Sequence, residues 1–272
     1  MLTKRIVLGV QYDGSTFQGW QTQPNGNTVQ DVLEAAIFRF TKDVTQTVCA
    51  GRTDTGVHAF EQVIHFDTVL NRSEHTWVRG INTFLPSNVS IHWAKELTEF
   101  NPESLENFHA RFSATSRTYC YLLYNNHIRS PIWSKKAGWY YRPLCIDKMK
   151  SAAQHLLGVH DFTVFRASSC QAKSPIKHFY DIQIAQQGDL IVFKIRANAF
   201  LHHMVRNIVG SLIFVGAGRQ DPSWIRYLLS SKDRSQAAPT FMPDGLYLTR
   251  IEYEPKWELP QIKEEKFPFY LF

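Results

Sequence analysis

Two stretches of this 272-residue chain repeat one order of periodicities. Arg5 to Tyr12 alternates, with Ile6, Leu8, Val10 and Tyr12 on one face, and reads as a strand. Thr28 to Thr41 carries Val29, Val32, Leu33, Ala36, Ile37 and Phe40 at helical spacing, with Thr28 and Asp31 forming the start of a cap. Val44 to Ala50 and Val57 to Phe66 read as two further strands. On the second, Phe60, Ile64 and Phe66 share a face that also carries Gln62. Asn101 to His109 is a polar connection. Beyond it come a strand at Thr118 to Tyr124 and a helix at Asp147 to Leu157 closed by Gly158. A hairpin then joins Ile182–Ile184 to Leu190–Ala197 around Gln187-Gly188-Asp189. A long helix from Phe200 to Val215 and a shorter one opening at Asp221-Pro222 follow. The order β-α-β-β, then β-α-β-β-α-α, predicts an α+β fold of two similar halves, 1–107 and 108–272, without a residue-level repeat. The charged, proline-interrupted tail from Pro255 is expected to be a docked strap or partly loose.

Hydrophobic residues make up 44 % and charged residues 20 %, the balance of a globular protein with a sizeable core. The 30 Lys and Arg against 24 Asp and Glu favour a polyanionic partner without demanding one. Cys49, Cys120, Cys145 and Cys170 form no CxxC pair, so no clustered zinc ligands are expected, and reduced thiols in the cytoplasm are. The longest apolar run, Phe200 to Val215, is interrupted by His202, His203 and Arg206 and is not a membrane span.

The segment Gly51-Arg52-Thr53-Asp54-Thr55-Gly56-Val57-His58-Ala59 places one carboxylate in a short loop between two glycines and two strands, a rigid mount for a reactive group. Gly51 to Gly56 has the spacing of a phosphate loop, but Val57-His58 stand where Lys and Ser or Thr are needed, so nucleotide binding is excluded. A G-x-S-x-G elbow is absent, and Ser174-Pro175-Ile176-Lys177 is a chance match to an acyl-transfer motif.

Arg206 interrupts a helix whose other residues are mostly apolar. A buried guanidinium needs an anionic partner, because stranding it costs roughly 3–5 kcal/mol. An ordinary structural ion pair or a solvated helix edge would serve; so would Asp54, which the arginine would then orient. The adjacent His202 and His203, placed on a helix, would point about 100° apart and make a poor chelate. Tyr119 and Tyr121, flanked by Arg111 and Arg117, are either core or a stacking surface for unpaired bases.

Five segments in order then resemble one family: Tyr12-Asp13-Gly14-Ser15-Thr16-Phe17-Gln18-Gly19-Trp20-Gln21, the Gly51–His58 loop, Phe108-His109-Ala110-Arg111-Phe112-Ser113-Ala114-Thr115, Phe200 to Gly210 with Arg206, and Ala238-Pro239-Thr240 before Gly245-Leu246-Tyr247-Leu248. Together they are similar to the bacterial tRNA pseudouridine synthase A family from about Arg5 to Tyr253. The resemblance implies an isomerase without cofactor or metal that converts uridine to pseudouridine at positions 38, 39 and 40 of the tRNA anticodon stem-loop. It implies the pseudouridine synthase fold, two ferredoxin-like halves sharing a largely antiparallel sheet with a central active-site cleft, acting as a cytoplasmic homodimer. Asp54 then corresponds to the catalytic nucleophile, Arg52 and Arg206 to its basic neighbours, and Tyr119 to the residue contacting the target base. Phe108, His109, Ala110, Arg111 and Phe112, and the stretch Ser169, Cys170, Gln171, Ala172 and Lys173, correspond to RNA-contacting segments.

Overall fold

The computed structural model describes residues 3–24, 26–97 and 107–262. Most of the expected connection (101–106) and the end of the tail lie outside them. The chain divides into two compact units: one runs to Thr115 and resumes at Leu248, the other is Ser116–Tyr247.

In the first unit β1 (Lys4–Tyr12) is followed by α1 (Val29–Thr41), β2 (Val48–Cys49), β3 (His58–Thr68), α2 (Glu74–Asn82) and β4 (Val89–Leu97). The strand order β4-β1-β3, with β2 on β3, gives the ferredoxin-like arrangement of a β-α-β-β-α-β run. β3 is antiparallel to β1, pairing Leu8 with Ile64, and β4 is antiparallel to β1 on its other side. β1 is buried on both faces, Val7 as completely as Ile6 and Leu8, rather than on one face as its alternation predicts. The helix cap stands as expected: Thr28 accepts from the Asp31 amide and Asp31 accepts from that of Thr28.

The expected strand over 44–50 shrinks to Val48–Cys49. Glu34 of α1 takes the Thr47 amide at 2.8 Å, and Thr41 Oγ1 takes that of Asp43 at 3.1 Å, so the backbone before Val48 bonds to the helix instead of a strand. Neither α2 nor β4 was anticipated; Pro86, Asn82 and the exposed Phe84 blur the periodicity there.

The second unit holds β5 (Ala114–Asn125), β6 (Gly138–Tyr140), α3 (Ile146–Ala153), β7 (Gly158–Asp161), β8 (Ile176–Gln187), β9 (Leu190–Ala197), α4 (Met204–Gly216) and α5 (Trp224–Ser231); β10 (Leu246–Tyr253) leads the chain back to the first. The strand order β5-β9-β8-β7 is antiparallel throughout, and β6 lies parallel to β5. The hairpin turns at Gly188, whose φ of +56° suits a residue without Cβ, and β8 is longer than its apolar core predicts. Both units are therefore α+β, each built on a mainly antiparallel sheet.

The long helix begins at Met204, not Phe200. His203 stands at φ +61°, a left-handed conformation that ends any helix, and the Met204 amide closes a turn on the Leu201 carbonyl at 3.1 Å. α5 likewise starts at Trp224, after a turn in which Asp221 accepts the Trp224 amide.

Candidate active site

In the first unit the Asp54 loop is held from four directions. Val57 donates its amide to the Asp54 carbonyl at 3.1 Å, and Gly56, at φ +81°, supplies the positive angle that a type II turn needs at its third residue. The buried Thr53 bonds to the Tyr12 hydroxyl at 2.8 Å and accepts the Trp20 amide at 3.0 Å. Gln62 clamps Gly51 through both its amide groups, donating to the carbonyl at 2.5 Å and accepting the N–H at 3.3 Å. His58 Nδ1 accepts the Gly14 amide at 3.1 Å. Asp13 closes this corner, 3.1 Å from the same nitrogen, while accepting from Ser15.

Gly14 and Gly19 make this wrapping possible. A Cβ on Gly14 would stand 1.9 Å from the Val57 carbonyl, so a side chain there would push the loop away. Asp54 is left half-buried and Arg52 exposed, with no hydrogen bond or ion pair to Arg52 among the described residues. The motif Tyr12–Gln21 is thus the clamp of the Asp54 loop. Sequence reasoning did not assign roles to Tyr12, Gly19, His58 or Gln62. The polar Gln62 on an apolar strand face was the one local signal.

The loop after Asn107 lies in the same unit. Phe108 is buried, its ring 5.0 Å from Tyr253 and 5.3 Å from Trp257 of the C-terminal strap. Ala110 is fixed at both ends of its peptide: its amide donates to His65 Nδ1 at 3.1 Å and its carbonyl accepts from the Tyr253 hydroxyl at 2.7 Å. Burial, with Arg5 and His109 nearby, pushes His65 down to about 3, so it stays a neutral acceptor. Of the five residues only three offer side chains outward. His109 stacks on Phe112 with ring centroids 4.3 Å apart, Arg111 lies 5.6 Å from the Phe112 ring, and Phe112 is 75 % exposed. Phe108 and Ala110 anchor the loop that presents them.

In the second unit Tyr119 sits on β5, nearly buried, with Phe200 edge-on at 5.0 Å. Tyr121 is core, its hydroxyl donating to the Met242 carbonyl at 2.8 Å; burial, with Asp244 near, raises it well above the usual phenol range. Arg206 is half-buried on α4 and its Nε donates to the Phe241 carbonyl at 2.8 Å, while Phe241 returns its amide to Arg206 at 3.3 Å. Next to it Asn207, fully buried, accepts from Thr240 and Arg234 at 2.6 and 3.0 Å and donates to Phe165 at 2.8 Å. Gly210 lets the Pro239 carbonyl approach; a Cβ there would stand 2.6 Å from it. The Ala238-Pro239-Thr240 segment therefore serves to seat the Arg206 helix.

The structure also brings the Ser169–Lys173 stretch to the start of that helix. Ser169 Oγ bonds His202 Nδ1 at 3.1 Å, and the Ala167 amide donates to the His202 carbonyl at 3.1 Å. Arg166 donates to the carbonyls of Cys170 and Ala172 at 2.6 and 3.0 Å. Ser169, Gln171 and Lys173 are exposed. His202 and His203 precede the helix rather than ride on it, with ring centroids 3.9 Å apart.

A model of a family described as tRNA pseudouridine synthase matches residues 9–113 and 152–254. The chain is 62 % identical over 265 residues to the tRNA pseudouridine synthase A of Janthinobacterium sp. (strain Marseille), covering 97 % of both chains. It is 61 % identical to that of Herminiimonas arsenicoxydans, covering 97 % of this chain and 95 % of the relative. With that of Bordetella avium (strain 197N) it shares 55 % over 260 residues, 95 % of each.

Proposed function

This chain belongs to the tRNA pseudouridine synthase family and is an isomerase of tRNA uridine; on that premise we propose that it acts at positions 38, 39 and 40 of the anticodon stem-loop with Asp54 as nucleophile. The observation that carries this reading is the mount of Asp54: a carboxylate left half-exposed on a loop whose neighbours Thr53, Val57 and Gly51 are each fastened.

The reaction breaks the C1′–N1 bond, turns the uracil and joins C1′ to C5; the C5 proton leaves and N1 takes one up. Reactant and product have the same composition, so neither a redox cofactor nor a nucleotide is consumed. Asp54 forms the covalent link that holds the substrate while the base turns, and a preorganised carboxylate also stabilises positive charge developing on the sugar. Tyr119 holds the detached uracil, and Arg206, seated by the Phe241 carbonyl, orients Asp54. A uridine in a stem must leave the stack at a cost of a few kcal/mol. Arg52, exposed beside Asp54, fills the space that the base leaves.

The exposed Arg111 and Phe112 with the half-buried His109, and the exposed Ser169, Gln171 and Lys173, supply backbone and stacking contacts to the RNA. No helix among the described residues is long and apolar enough to cross a membrane. With four free cysteines, the protein is proposed to work in the cytoplasm, as a homodimer. Sedimentation equilibrium tests the dimer.

The direct test of the reaction is Asp54→Asn, assayed by tritium release from tRNA carrying 5-labelled uridine, with carbodiimide mapping of the modified positions. Loss of turnover with an unchanged melting temperature is expected. Retained turnover would remove Asp54 from the chemistry, and product at other positions would overturn the assignment to 38–40.

A further inference from the structure

The loop between β5 and β6 takes no part in the site described above, yet it has the composition of an anion-binding surface. Residues 126–142 contain Arg129, Lys135, Lys136 and Arg142, together with His127, and not one of the chain's 24 Asp and Glu. His127, Arg129, Lys135 and Arg142 are exposed. Arg129 and Lys135 have no ion pair among the described residues, and Arg142 only lies over the Tyr141 ring at 5.2 Å. A surface evolved merely for solubility interleaves both signs. The carboxylate that meets the loop, Asp189, does so at its root, accepting from Asn126 at 2.9 Å.

The loop is built rather than loose. Asn125 draws its two ends together, donating to the carbonyls of Tyr140 and Arg142 at 2.8 and 2.7 Å. Trp139 Nε1 donates to the Asn126 carbonyl at 2.8 Å, and the amides of Lys136 and Ala137 both close on Trp133 at 3.0 Å. The Tyr247 hydroxyl holds the Lys136 carbonyl at 2.6 Å. A compact loop of this kind presents its cations with little ordering left to do on binding.

Its place on β5 says which part of a ligand it can meet. Six residues of extended strand separate Tyr119 from Asn125, about 20 Å at the usual rise of ~3.4 Å per residue. A nucleotide against Tyr119 does not span that distance. Given the tRNA substrate of the preceding section, on which this inference rests, we propose that the β5–β6 loop, with Arg142, is a phosphate-contact surface for the body of the tRNA outside the anticodon stem-loop. A second copy of the chain fits this surface less well. A two-fold interface sets a patch against itself, here cations against cations, and the exposed Ile128 and Ile132 offer far less than the ~800 Å2 per partner of a stable interface.

The test is the triple variant Arg129→Ala/Lys135→Ala/Arg142→Ala in the full chain, compared with wild type on unmodified full-length tRNA and on an isolated anticodon stem-loop. The expected result is an unchanged kcat and melting temperature, with KM for full-length tRNA raised about 10-fold at moderate salt. The slope of log affinity against log salt, read by filter binding, should become shallower by about 2–3, and KM for the stem-loop should stay the same. The double variant Arg129→Lys/Arg142→Lys should keep wild-type affinity, because a phosphate on an exposed surface reads charge. An unchanged KM and salt slope would overturn the proposal. So would an equal loss on the stem-loop, or a change of oligomeric state, which would assign the surface to a second copy. A wild-type protein that bound tRNA with this loop-dependent slope but formed no pseudouridine would overturn the enzymatic reading alone.

Discussion

Gly19 stands against the peptide that joins Thr53 to Asp54: a Cβ on Gly19 would lie 2.8 Å from the Thr53 carbonyl oxygen and 3.2 Å from the Asp54 carbonyl carbon. Because Trp20 donates its amide to the same oxygen at 3.0 Å, two motifs more than thirty residues apart in sequence form one device. The first motif holds the backbone of the second, and the half-exposed carboxylate stands on what is held.

Gly19→Ala should therefore impair both stability and rate. The residue sits at φ +85°, where a side chain is strained by about 1–3 kcal/mol, and the new methyl meets backbone rather than a flexible side chain. The melting temperature should fall by several degrees and kcat at least tenfold, since small displacements of a reacting group are costly. Thermal melting and tritium release measure the two separately; an unchanged kcat would show that the clamp serves stability alone.

Arg206→Lys keeps the charge but loses the Nε donor that meets the Phe241 carbonyl at 2.8 Å. An Arg-to-Lys change at an oriented site is not conservative. A drop in kcat of tenfold or more is expected, with KM for tRNA within twofold and a stability loss near 1 kcal/mol. A larger effect on KM than on kcat would assign Arg206 to binding.

Phe108 and Phe112 should part company. Phe108→Ala leaves a cavity against Tyr253 and Trp257 and should cost about 3–5 kcal/mol of stability. Phe112→Ala, at a ring mostly in solvent, should leave the melting temperature alone and raise KM for tRNA several-fold. Equal melting temperatures for the two variants would contradict the anchoring role of Phe108.

Glu61 should make stability fall as pH rises. It is 2 % exposed on β3, facing a cavity of about 60 Å3 also lined by Trp93, Glu254 and Glu258. Burial pushes its carboxyl up to about 7, against the opposing pull of the Ile251 and Ile262 amides and Arg250. The folded state thus holds a proton that the unfolded chain releases near pH 4.5, so stability declines between about pH 4.5 and 7 and levels off above, by about 3 kcal/mol in all. Glu61→Gln should match wild type at pH 5 and melt several degrees higher at pH 8. Parallel melting curves across that range would show that Glu61 is already ionised in the folded protein.

Much of this was legible from residues alone. The helix Val29–Thr41 declared itself by its apolar spacing and its Thr28–Asp31 cap, both local properties of the chain. Elements failed where local pattern and tertiary bonding compete. The segment before Val48 is β-branched enough for a strand, but α1 captures backbone amides there through Glu34 and Thr41. Phe200 to His203 continues the helical pattern, yet the loop at Ser169 and Cys170 engages His202, and His203 turns left-handed before the helix begins.

Sequence by itself determined the family, the aspartate between its glycines and the α+β order, because periodicity, capping and motif are written in neighbouring residues. Tertiary structure alone decided which residues of each motif act outward and which hold. In the run Phe108 to Phe112, Phe108 and Ala110 turn inward because Tyr253 and Trp257, some 140 residues later, pack and bond to them. Gly19 is indispensable only because Thr53 arrives against it. Burial and close approach are properties of pairs of residues distant in sequence, and no local pattern encodes the partner.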